Sequence, residues 1–152
     1  MIGIIIAAVV IAFILLAYVF VFIRPRAKKP DSVRLLCDYA HRGLHDNRSD
    51  APENSMAAIR KAVENGYGIE FDVQLTRDRI PVVFHDESLK RVCGVEGNVR
   101  DYTYEELCRL NCNKNGAPSV VPTLDEFLAL CAEHDMMVNL EIKEYYTPGN
   151  EE

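Results

Sequence analysis

The sequence predicts an α/β fold in which parallel strands are joined by helical crossovers, with one long apolar helix ahead of it. Residues 2–23 carry no charged side chain. After them, segments with the roughly 2-residue period of a strand alternate with segments with the roughly 3.6-residue period of a helix, in the order strand, helix, strand, helix, strand. Strands separated by helices are joined in parallel, and a short extended run inside the second unit predicts a hairpin-like excursion.

The apolar run is long enough to be a membrane anchor. A helix over residues 2–23 would be about 33 Å long, which matches a hydrocarbon core of about 30 Å. A cleaved signal peptide needs a basic region before the run and small residues after it, whereas Arg24, Pro25 and Arg26 follow here. We therefore predict a retained single-pass transmembrane helix at 2–23 and a juxtamembrane linker at 24–34. The basic residues after the helix place the remaining chain in the cytoplasm.

The charge balance argues against nucleic acid as a partner. The chain has 17 Lys and Arg against 23 Asp and Glu, and four of the positive residues lie beside the apolar run. From residue 30 onward the balance is therefore 13 against 23, an acidic body with no basic stripe. Such a balance is expected where carboxylates surround a divalent cation, although solubility is its commoner cause.

The cysteines form an odd set of five without a C-x-x-C pair. A disulfide framework or a zinc site is therefore not expected. Cys108 and Cys112 are four residues apart on a predicted helix, so they share a face. The favoured interpretation is that the cysteines are small buried hydrophobic residues in a reducing compartment, in agreement with a cytoplasmic location.

The first predicted strand covers residues 33–40, which are largely apolar. It leads into His41, Arg42 and Gly43, where the glycine permits a sharp exit from the strand. A polar loop follows. Residues 52–55, Pro-Glu-Asn-Ser, then start a helix whose apolar positions recur at helical spacing up to an Asn-Gly stop.

The second predicted strand, residues 68–76, alternates strictly between apolar and polar side chains. Its polar face carries two carboxylates, Glu70 and Asp72. A turn after this strand leads into a second extended run at residues 80–84, which ends at His85. These two runs are the predicted hairpin-like excursion.

Two helices and a third strand complete the pattern. Residues 101–111 predict a short helix, with Thr103 and Glu106 at the spacing of a capping box. Residues 122–126, Pro-Thr-Leu-Asp-Glu, open another helix with an apolar inner face. Residues 137–143 alternate again between apolar and polar side chains, which predicts a strand.

Three carboxylates are expected to converge where the strands lie side by side. Two residues along a strand are about 6.6 Å apart and point the same way, so Glu70 and Asp72 project together. Glu141 projects from the polar face of the third strand, about 4.8 Å away if the two strands are neighbours. Since like charges this close repel, a hard cation, Ca²⁺ or Mg²⁺, is the simplest compensation. A single such acid is usually solvent-facing, but a parallel sheet covered by helices is buried on both faces.

Two histidines and two basic residues lie at the same strand ends. His41 ends the first strand and His85 ends the excursion, at the positions where parallel α/β folds place their sites. A lone histidine is usually a packed or capping residue, whereas two imidazoles can pass a proton in both directions. Arg42 offers a planar fork for a phosphate, with a surface ion pair as the alternative, and Lys143 adds a second positive group. An anion site that contains a cation points to phosphate-ester chemistry.

Seven short motifs follow one another at suitable spacing between about residues 36 and 143. In chain order they are His41-Arg42-Gly43, Pro52-Glu53-Asn54-Ser55, Gly68-Ile69-Glu70-Phe71-Asp72-Val73, Thr76-Arg77-Asp78, Pro81-Val82-Val83-Phe84-His85-Asp86, Pro122-Thr123-Leu124 and Glu141-Ile142-Lys143. Together they resemble glycerophosphodiester phosphodiesterases. This resemblance covers nearly all of the chain after the apolar run.

The resemblance implies a TIM (β/α)8 barrel whose members hydrolyse glycerophosphodiesters to glycerol 3-phosphate and an alcohol, with a divalent metal. In the mechanism usually proposed for the family, the glycerol hydroxyl next to the ester attacks phosphorus, and water then opens the cyclic phosphate. By the family pattern the metal ligands are Glu70, Asp72 and Glu141, the general acid and base are His41 and His85, and the substrate-binding residues are Arg42, Asn54 and Lys143.

The length of the chain departs from the family. About 130 residues follow the apolar run, whereas a complete barrel has about 250. The motifs cover only the first three β/α units, so we expect residues 35–152 to be an incomplete domain with an unpaired sheet edge after the third strand. Because a catalytic group displaced by about 1 Å can cost about a hundredfold in rate, we expect little activity from this chain by itself.

Two alternatives stay open from the sequence. One is a non-catalytic, membrane-tethered module that binds a metal or a phosphate. The other is a lysophospholipase-D-like enzyme that acts on membrane lipids. The sequence leaves both the alcohol leaving group and the choice between Ca²⁺ and Mg²⁺ undetermined.

Overall fold

A computed structural model describes residues 2–20, 36–114 and 116–145, and the chain divides into two compact units, Met1–Val33 and Arg34–Glu152. The first unit contains helix α1, Ile2–Tyr18, of 17 residues. Within the described residues, no helix combines the length and the apolar character needed to cross a membrane. The transmembrane helix expected at 2–23 is therefore not supported, since the described α-helix ends at Tyr18. The linker at 24–34 lies outside the described residues, and the cytoplasmic location stays a prediction.

The second unit contains four strands and three helices among its described residues. The strands are β1 (Tyr39–His41), β2 (Gly68–Leu75), β3 (Pro81–Val83) and β4 (Val138–Ile142). The helices are α2 (Met56–Glu64), α3 (Tyr104–Leu107) and α4 (Leu124–Glu133), and a 3-10 turn at Val99–Asp101 precedes α3. The order predicted from the periodicity is therefore confirmed. The first strand is displaced toward His41, and residues 33–35 of its predicted range lie outside the described part.

Strand β2 is the centre of the sheet. It pairs in parallel with β1 and with β4, and antiparallel with β3. The two parallel pairings confirm the helical crossovers, and the antiparallel pairing of β2 with β3 confirms the hairpin-like excursion. The observed class is thus α/β with a mainly parallel sheet.

The apolar face of β2 packs against the two longer helices of this unit. Phe71 of β2 and Phe127 of α4 are both fully buried, with ring centroids 4.5 Å apart. Ile59 of α2 joins the same core with the β2 residues Ile69 and Val73. On the opposite face, Asp72 and Gln74 are buried as well. The prediction that both faces of this strand are covered is therefore confirmed, so its polar side chains are not simply the solvent-facing ones.

The helices begin at side-chain caps. The Ser55 hydroxyl accepts a hydrogen bond of 3.1 Å from the Ala58 N–H at the start of α2. Capping boxes open α3 at Thr103 and α4 at Thr123. Helix α3 is shorter than the predicted 101–111 and ends at Leu107. Beyond it, the Asn111 carboxamide oxygen accepts hydrogen bonds from the N–H groups of Asn113 and Ser119, which stabilise a non-helical segment there.

A second apolar cluster joins the excursion to the segment between it and α4. It is built on the buried side chains of Val82, Phe84, Leu89, Val99, Leu107 and Val121.

Strand β4 is packed less completely than this region. Its residues Val138 and Ile142 are 37% and 70% exposed, and β4 pairs with β2 alone among the described strands.

Candidate active site

Three carboxylates converge where the middle of β2 lies beside the carboxyl end of β4. Glu70 and Asp72 lie two residues apart on β2, and Glu141 of β4 is in register with Asp72. One carboxylate oxygen from each of the three lies within 4.8 Å of the others. The structure therefore brings together the three acids that periodicity placed on neighbouring polar faces. Their role as metal ligands stays a prediction.

Two buried oxygens at this point lack a hydrogen-bond partner among the described residues, Glu70 Oε2 and Asn54 Oδ1. The Asp72 side chain is only 1% exposed, so its charge requires close positive or hydrogen-bonding groups. Carboxylate and amide oxygens are the ligands that Ca²⁺ and Mg²⁺ prefer. The carboxylate and amide oxygens beside Asp72 therefore fit a hard divalent cation.

Lys143 already places one positive charge against this cluster. Its Nζ lies 3.1 Å from Asp72 Oδ1 and 2.5 Å from Glu141 Oε1. Burial alone would lower the pKa of Lys143, but the hydrogen bonds to Glu141 and Asp72 raise it above its ordinary value. The ammonium group therefore balances part of the negative charge. A cation bound by the three acids would share Asp72 and Glu141 with Lys143.

His41 and Arg42 approach the acids from the end of β1. His41 is in register with Glu70, and its Nε2 lies 3.7 Å from Glu70 Oε2. The Arg42 guanidinium lies 3.6 Å from Asp72 Oδ2 and 3.1 Å from Glu53 Oε1. The buried Arg42 Nε has no hydrogen-bond partner among the described residues. This arginine therefore keeps a donor available beside the carboxylates.

Two backbone positions beside Asp72 are strained. Arg42 and Asn54 have φ angles of 61° and 55°, which non-glycine residues rarely adopt. The Asn54 N–H donates to the Arg42 carbonyl at 2.9 Å, and Asn54 Nδ2 donates to Asp72 Oδ2 at 3.3 Å. Gly43 has a φ of 85°, and a Cβ there would come within 2.7 Å of Ala58 Cβ, which confirms the predicted need for glycine at this exit. The strained turns hold Arg42 and Asn54 against Asp72.

His85 lies at the end of the excursion, two residues after β3. The Phe84 N–H donates to the Asp72 carbonyl at 3.0 Å, which places the segment next to β2. His85 Nδ1 lies 2.7 Å from Asp86 Oδ1, and the Tyr145 hydroxyl donates to the His85 carbonyl. A hydrogen on Nδ1 that is donated to Asp86 leaves Nε2 as the nitrogen able to accept or release a proton. Asp86 therefore orients the ring in the way that acid–base chemistry requires.

An ion-pair network of Arg91, Glu53 and Asp86 contacts both Arg42 and His85. The sequence assigns no functional role to these three residues. Arg91 donates to both carboxylate oxygens of Glu53, at 2.6 and 2.9 Å, and to both oxygens of Asp86, at 2.6 and 2.8 Å. Glu53 in turn contacts Arg42, and Asp86 contacts His85. Glu53 and Asp86 stand inside recognised motifs, whereas Arg91 carries no sequence signal of its own.

The network lowers the pKa of both acids. Burial alone would raise the pKa of Glu53, but hydrogen bonds from Arg91 and Asn47 and the charges of Arg91 and Arg42 lower it to about 2. The hydrogen bond from Arg91 lowers the pKa of Asp86 to about 2 despite its burial, with a further contribution from His85. Both acids are therefore anionic over the whole physiological range.

Replacing Arg91 by methionine is expected to lower the unfolding free energy by about 2–3 kcal/mol at pH 7, measured by urea denaturation. The reason is that the Glu53 side chain, only 6% exposed, would lose its bidentate partner. Folding depresses the pKa of Glu53 and Asp86, so their stabilising contribution is present above the unfolded pKa values and is lost as the pH falls to about 2. We therefore expect this acid-dependent loss of stability to be weaker in the variant.

Lys90→Met is the matched control for Arg91→Met. Lys90 pairs with Glu96, and both side chains are largely exposed, at 69% and 79%. Exposed ion pairs contribute about 0–1 kcal/mol, so this neighbouring change is expected to have little effect. Equal losses of stability in the two variants would contradict a supporting role for Arg91.

The fold and the site together define a class of protein. It is an α/β protein in which the carboxyl ends of the parallel strands β1 and β4 bring an imidazole, basic side chains and a carboxylate beside the two acids of β2. The carboxyl ends of parallel strands are the usual position of an active site in such folds. Residues 41–152 match the glycerophosphoryl diester phosphodiesterase family. The chain belongs to this family, which confirms the resemblance drawn from its motifs.

Relatives of the chain carry the same family name. A glycerophosphodiester phosphodiesterase from Caldanaerobacter subterraneus is 43% identical over 120 residues, which cover 74% of this chain and 48% of the relative. Human glycerophosphodiester phosphodiesterase 1 is 40% identical over 111 residues, which cover 68% of this chain and 33% of the relative. The chain therefore spans a third to a half of the length of these two relatives.

Solved structures agree with the sequence relatives. A phosphodiesterase from Oleispira antarctica, in complex with the product sn-glycerol-3-phosphate, has a TM-score of 0.63 at 30% identity, covering 74% of this chain and 47% of that one. A glycerophosphodiester phosphodiesterase from Agrobacterium tumefaciens has a TM-score of 0.63 at 32% identity, covering 71% and 47%. The fold of this chain is therefore similar to part of the fold of these enzymes.

Proposed function

We propose that this chain carries the active-site residues of a glycerophosphodiester phosphodiesterase, which converts glycerophosphodiesters into glycerol 3-phosphate and an alcohol. The observation that carries the proposal is the approach of Glu70, Asp72 and Glu141 oxygens to within 4.8 Å of one another, with His41 beside Glu70. The relative from Oleispira antarctica contains sn-glycerol-3-phosphate as its product, which supports the choice of substrate class.

We assign the binding of a divalent cation, Ca²⁺ or Mg²⁺, to Glu70, Asp72 and Glu141, with the Asn54 amide oxygen as an additional neighbour. When bound, such a cation neutralises charge on phosphoryl oxygens and makes a nearby hydroxyl more acidic. The unpartnered buried oxygens of Glu70 and Asn54 support this assignment.

The phosphate of the substrate is assigned to Arg42 and Lys143. Both side chains are largely buried, at 17% and 16% exposed, and both face the carboxylates. A planar guanidinium with an unused Nε donor suits two oxygens of a phosphoryl group. The phosphodiester would therefore lie across the ends of β1 and β4, between the two basic groups.

The two histidines are assigned to proton transfer. One imidazole takes the proton from the glycerol hydroxyl next to the ester as that oxygen bonds to phosphorus, and the other gives a proton to the departing alcohol. Water then adds to the cyclic phosphate, the two imidazoles exchange roles, and glycerol 3-phosphate is released. Asp86 supports this assignment for His85, because it fixes which ring nitrogen carries the hydrogen.

A second candidate function is a non-catalytic module that binds a cation or a phosphate. The exposure of Val138 and Ile142 on β4 favours it, because the strand that carries Glu141 is packed less completely than β2. A loosely packed strand holds its side chains less precisely, and a displacement of a catalytic group by about 1 Å lowers the reaction rate by about a hundredfold. For the same reason, we expect slow turnover from residues 1–152 alone.

The test is an assay of glycerol 3-phosphate release by the purified chain from glycerophosphocholine, with Ca²⁺, with Mg²⁺ and with a chelator. We expect slow release that requires one of the cations. A parallel assay with a lysophospholipid separates this activity from a lysophospholipase-D-like one. Cation binding without release from either substrate would favour the binding module, and release that is unaffected by the chelator would contradict the assigned cation site.

A further inference from the structure

Two cysteine side chains outside the candidate active site lie against each other. The five cysteines of the chain are free thiols, and the sulfurs of Cys93 and Cys112 are 2.6 Å apart. Sulfur atoms joined in a disulfide are about 2.05 Å apart. A shift of about half an ångström would therefore bring this pair to bonding distance. The two residues are separated by 19 positions, so the fold brings them together rather than the local sequence.

The two thiols have different surroundings. Cys93 is partly exposed, and the ammonium group of Lys114 lies beside its segment, donating to the carbonyls of Lys90 and Arg91 at 3.0 and 3.2 Å. Cys112 is buried at 8% exposure in the second apolar cluster. The hydrogen bond with Cys112 lowers the pKa of Cys93 against the effect of burial, and the charge of Lys114 lowers it further. Accessible thiols near a positive charge are the reactive ones in proteins.

We propose that Cys93 and Cys112 form a redox-active dithiol that closes to a disulfide by exchange with a small-molecule disulfide such as oxidised glutathione. The Cys93 thiolate attacks one sulfur of the small disulfide, which releases one small thiol and leaves a mixed disulfide. Cys112 then loses its proton and attacks Cys93 Sγ, which forms the protein disulfide and releases the second small thiol. The protein loses two electrons and two protons, and the small disulfide gains both.

The disulfide would connect the segment that carries Arg91 to the segment that carries Cys112. It would close a loop of about 20 residues, for which the loss of chain entropy in the unfolded state raises stability. For a chain of this size, we expect the melting temperature to rise by roughly 5–10 °C on oxidation. The inference does not depend on the proposed phosphodiesterase activity.

The experiment compares the full reduced chain before and after incubation with oxidised glutathione. We expect free thiols to fall from five to three. Blocking with an alkylating reagent and digestion with trypsin should then yield residues 92–100 linked to residues 110–114, each of which contains one cysteine. Cys108→Ser is the matched control, because Cys108 is exposed and lies outside the pair, and this variant should form the same link.

Substitution of either cysteine of the pair tests whether the disulfide requires both thiols. Cys93→Ser and Cys112→Ser should form no link and should show no oxidation-dependent rise in melting temperature. Cys112→Ser should instead retain glutathione on Cys93, since the second thiol is missing. A count of five thiols after oxidation would overturn the proposal, and so would a stable glutathione adduct on Cys93 in the unchanged chain or a link between other cysteines.

Discussion

Replacing His85 by alanine is expected to slow glycerophosphodiester hydrolysis by about 100- to 10,000-fold, and His41→Ala by a similar factor. Each substitution removes one of the two imidazoles that the proposed reaction uses in both of its steps. His85 is held by Asp86 through Nδ1, and His41 lies beside Glu70 with 67% of its side chain exposed. The loss should appear in kcat rather than in KM.

The measurement is glycerol 3-phosphate release under substrate saturation, with enough protein to quantify the slow parent reaction. His134→Ala is the matched control, because His134 is exposed at the C-cap of α4 and has no assigned role. It should retain the parent rate. If either His41→Ala or His85→Ala kept more than about a tenth of the parent rate, that histidine would not be the acid or the base.

The position of the acids could be predicted from the sequence because strand periodicity is a local property. Alternation over residues 68–76 assigned Glu70 and Asp72 to one face before any pairing partner was known. Glu141 followed from the same reasoning on the third strand. The register that sets Glu141 opposite Asp72 is not contained in that alternation, and it depended on the assumption that the two strands are neighbours.

The supporting network could not be predicted because its contacts are distant in the chain. Arg91 and Glu53 are 38 residues apart, and neither lies on a periodic segment that would assign it a face. The positive φ angles of Arg42 and Asn54 could not be predicted either, since non-glycine residues usually avoid that conformation. Only Gly43, whose missing Cβ suits a sharp turn, gave a signal in the sequence. Two of the four described non-glycine residues with positive φ angles therefore lie beside Asp72, and such strained positions often occur at functional sites.

Asp72→Asn is expected to weaken the binding of Ca²⁺ or Mg²⁺ by at least about 100-fold, measured by isothermal titration calorimetry. Asp72 is the most buried of the three acids, and the substitution removes its charge while preserving its shape. Asp50→Asn is the matched control, because Asp50 is 70% exposed and pairs only with Lys61 among the described ion pairs. That control should bind the cation as the parent does, and equal affinity in all three proteins would exclude Asp72 as a ligand.

Lys143→Met tests whether the three carboxylates form a metal-binding site or only form ion pairs with Lys143. The Lys143 ammonium contacts both Asp72 and Glu141, so its removal leaves the carboxylates with one positive neighbour fewer. If the cluster is a cation site, added Ca²⁺ or Mg²⁺ should raise the melting temperature of this variant more than that of the parent, because binding to the folded state alone stabilises it. If the acids merely balance Lys143, the variant should be destabilised and should respond to neither cation. The presence or absence of this cation-dependent rise therefore decides whether the three acids hold a metal ion or only the Lys143 ammonium.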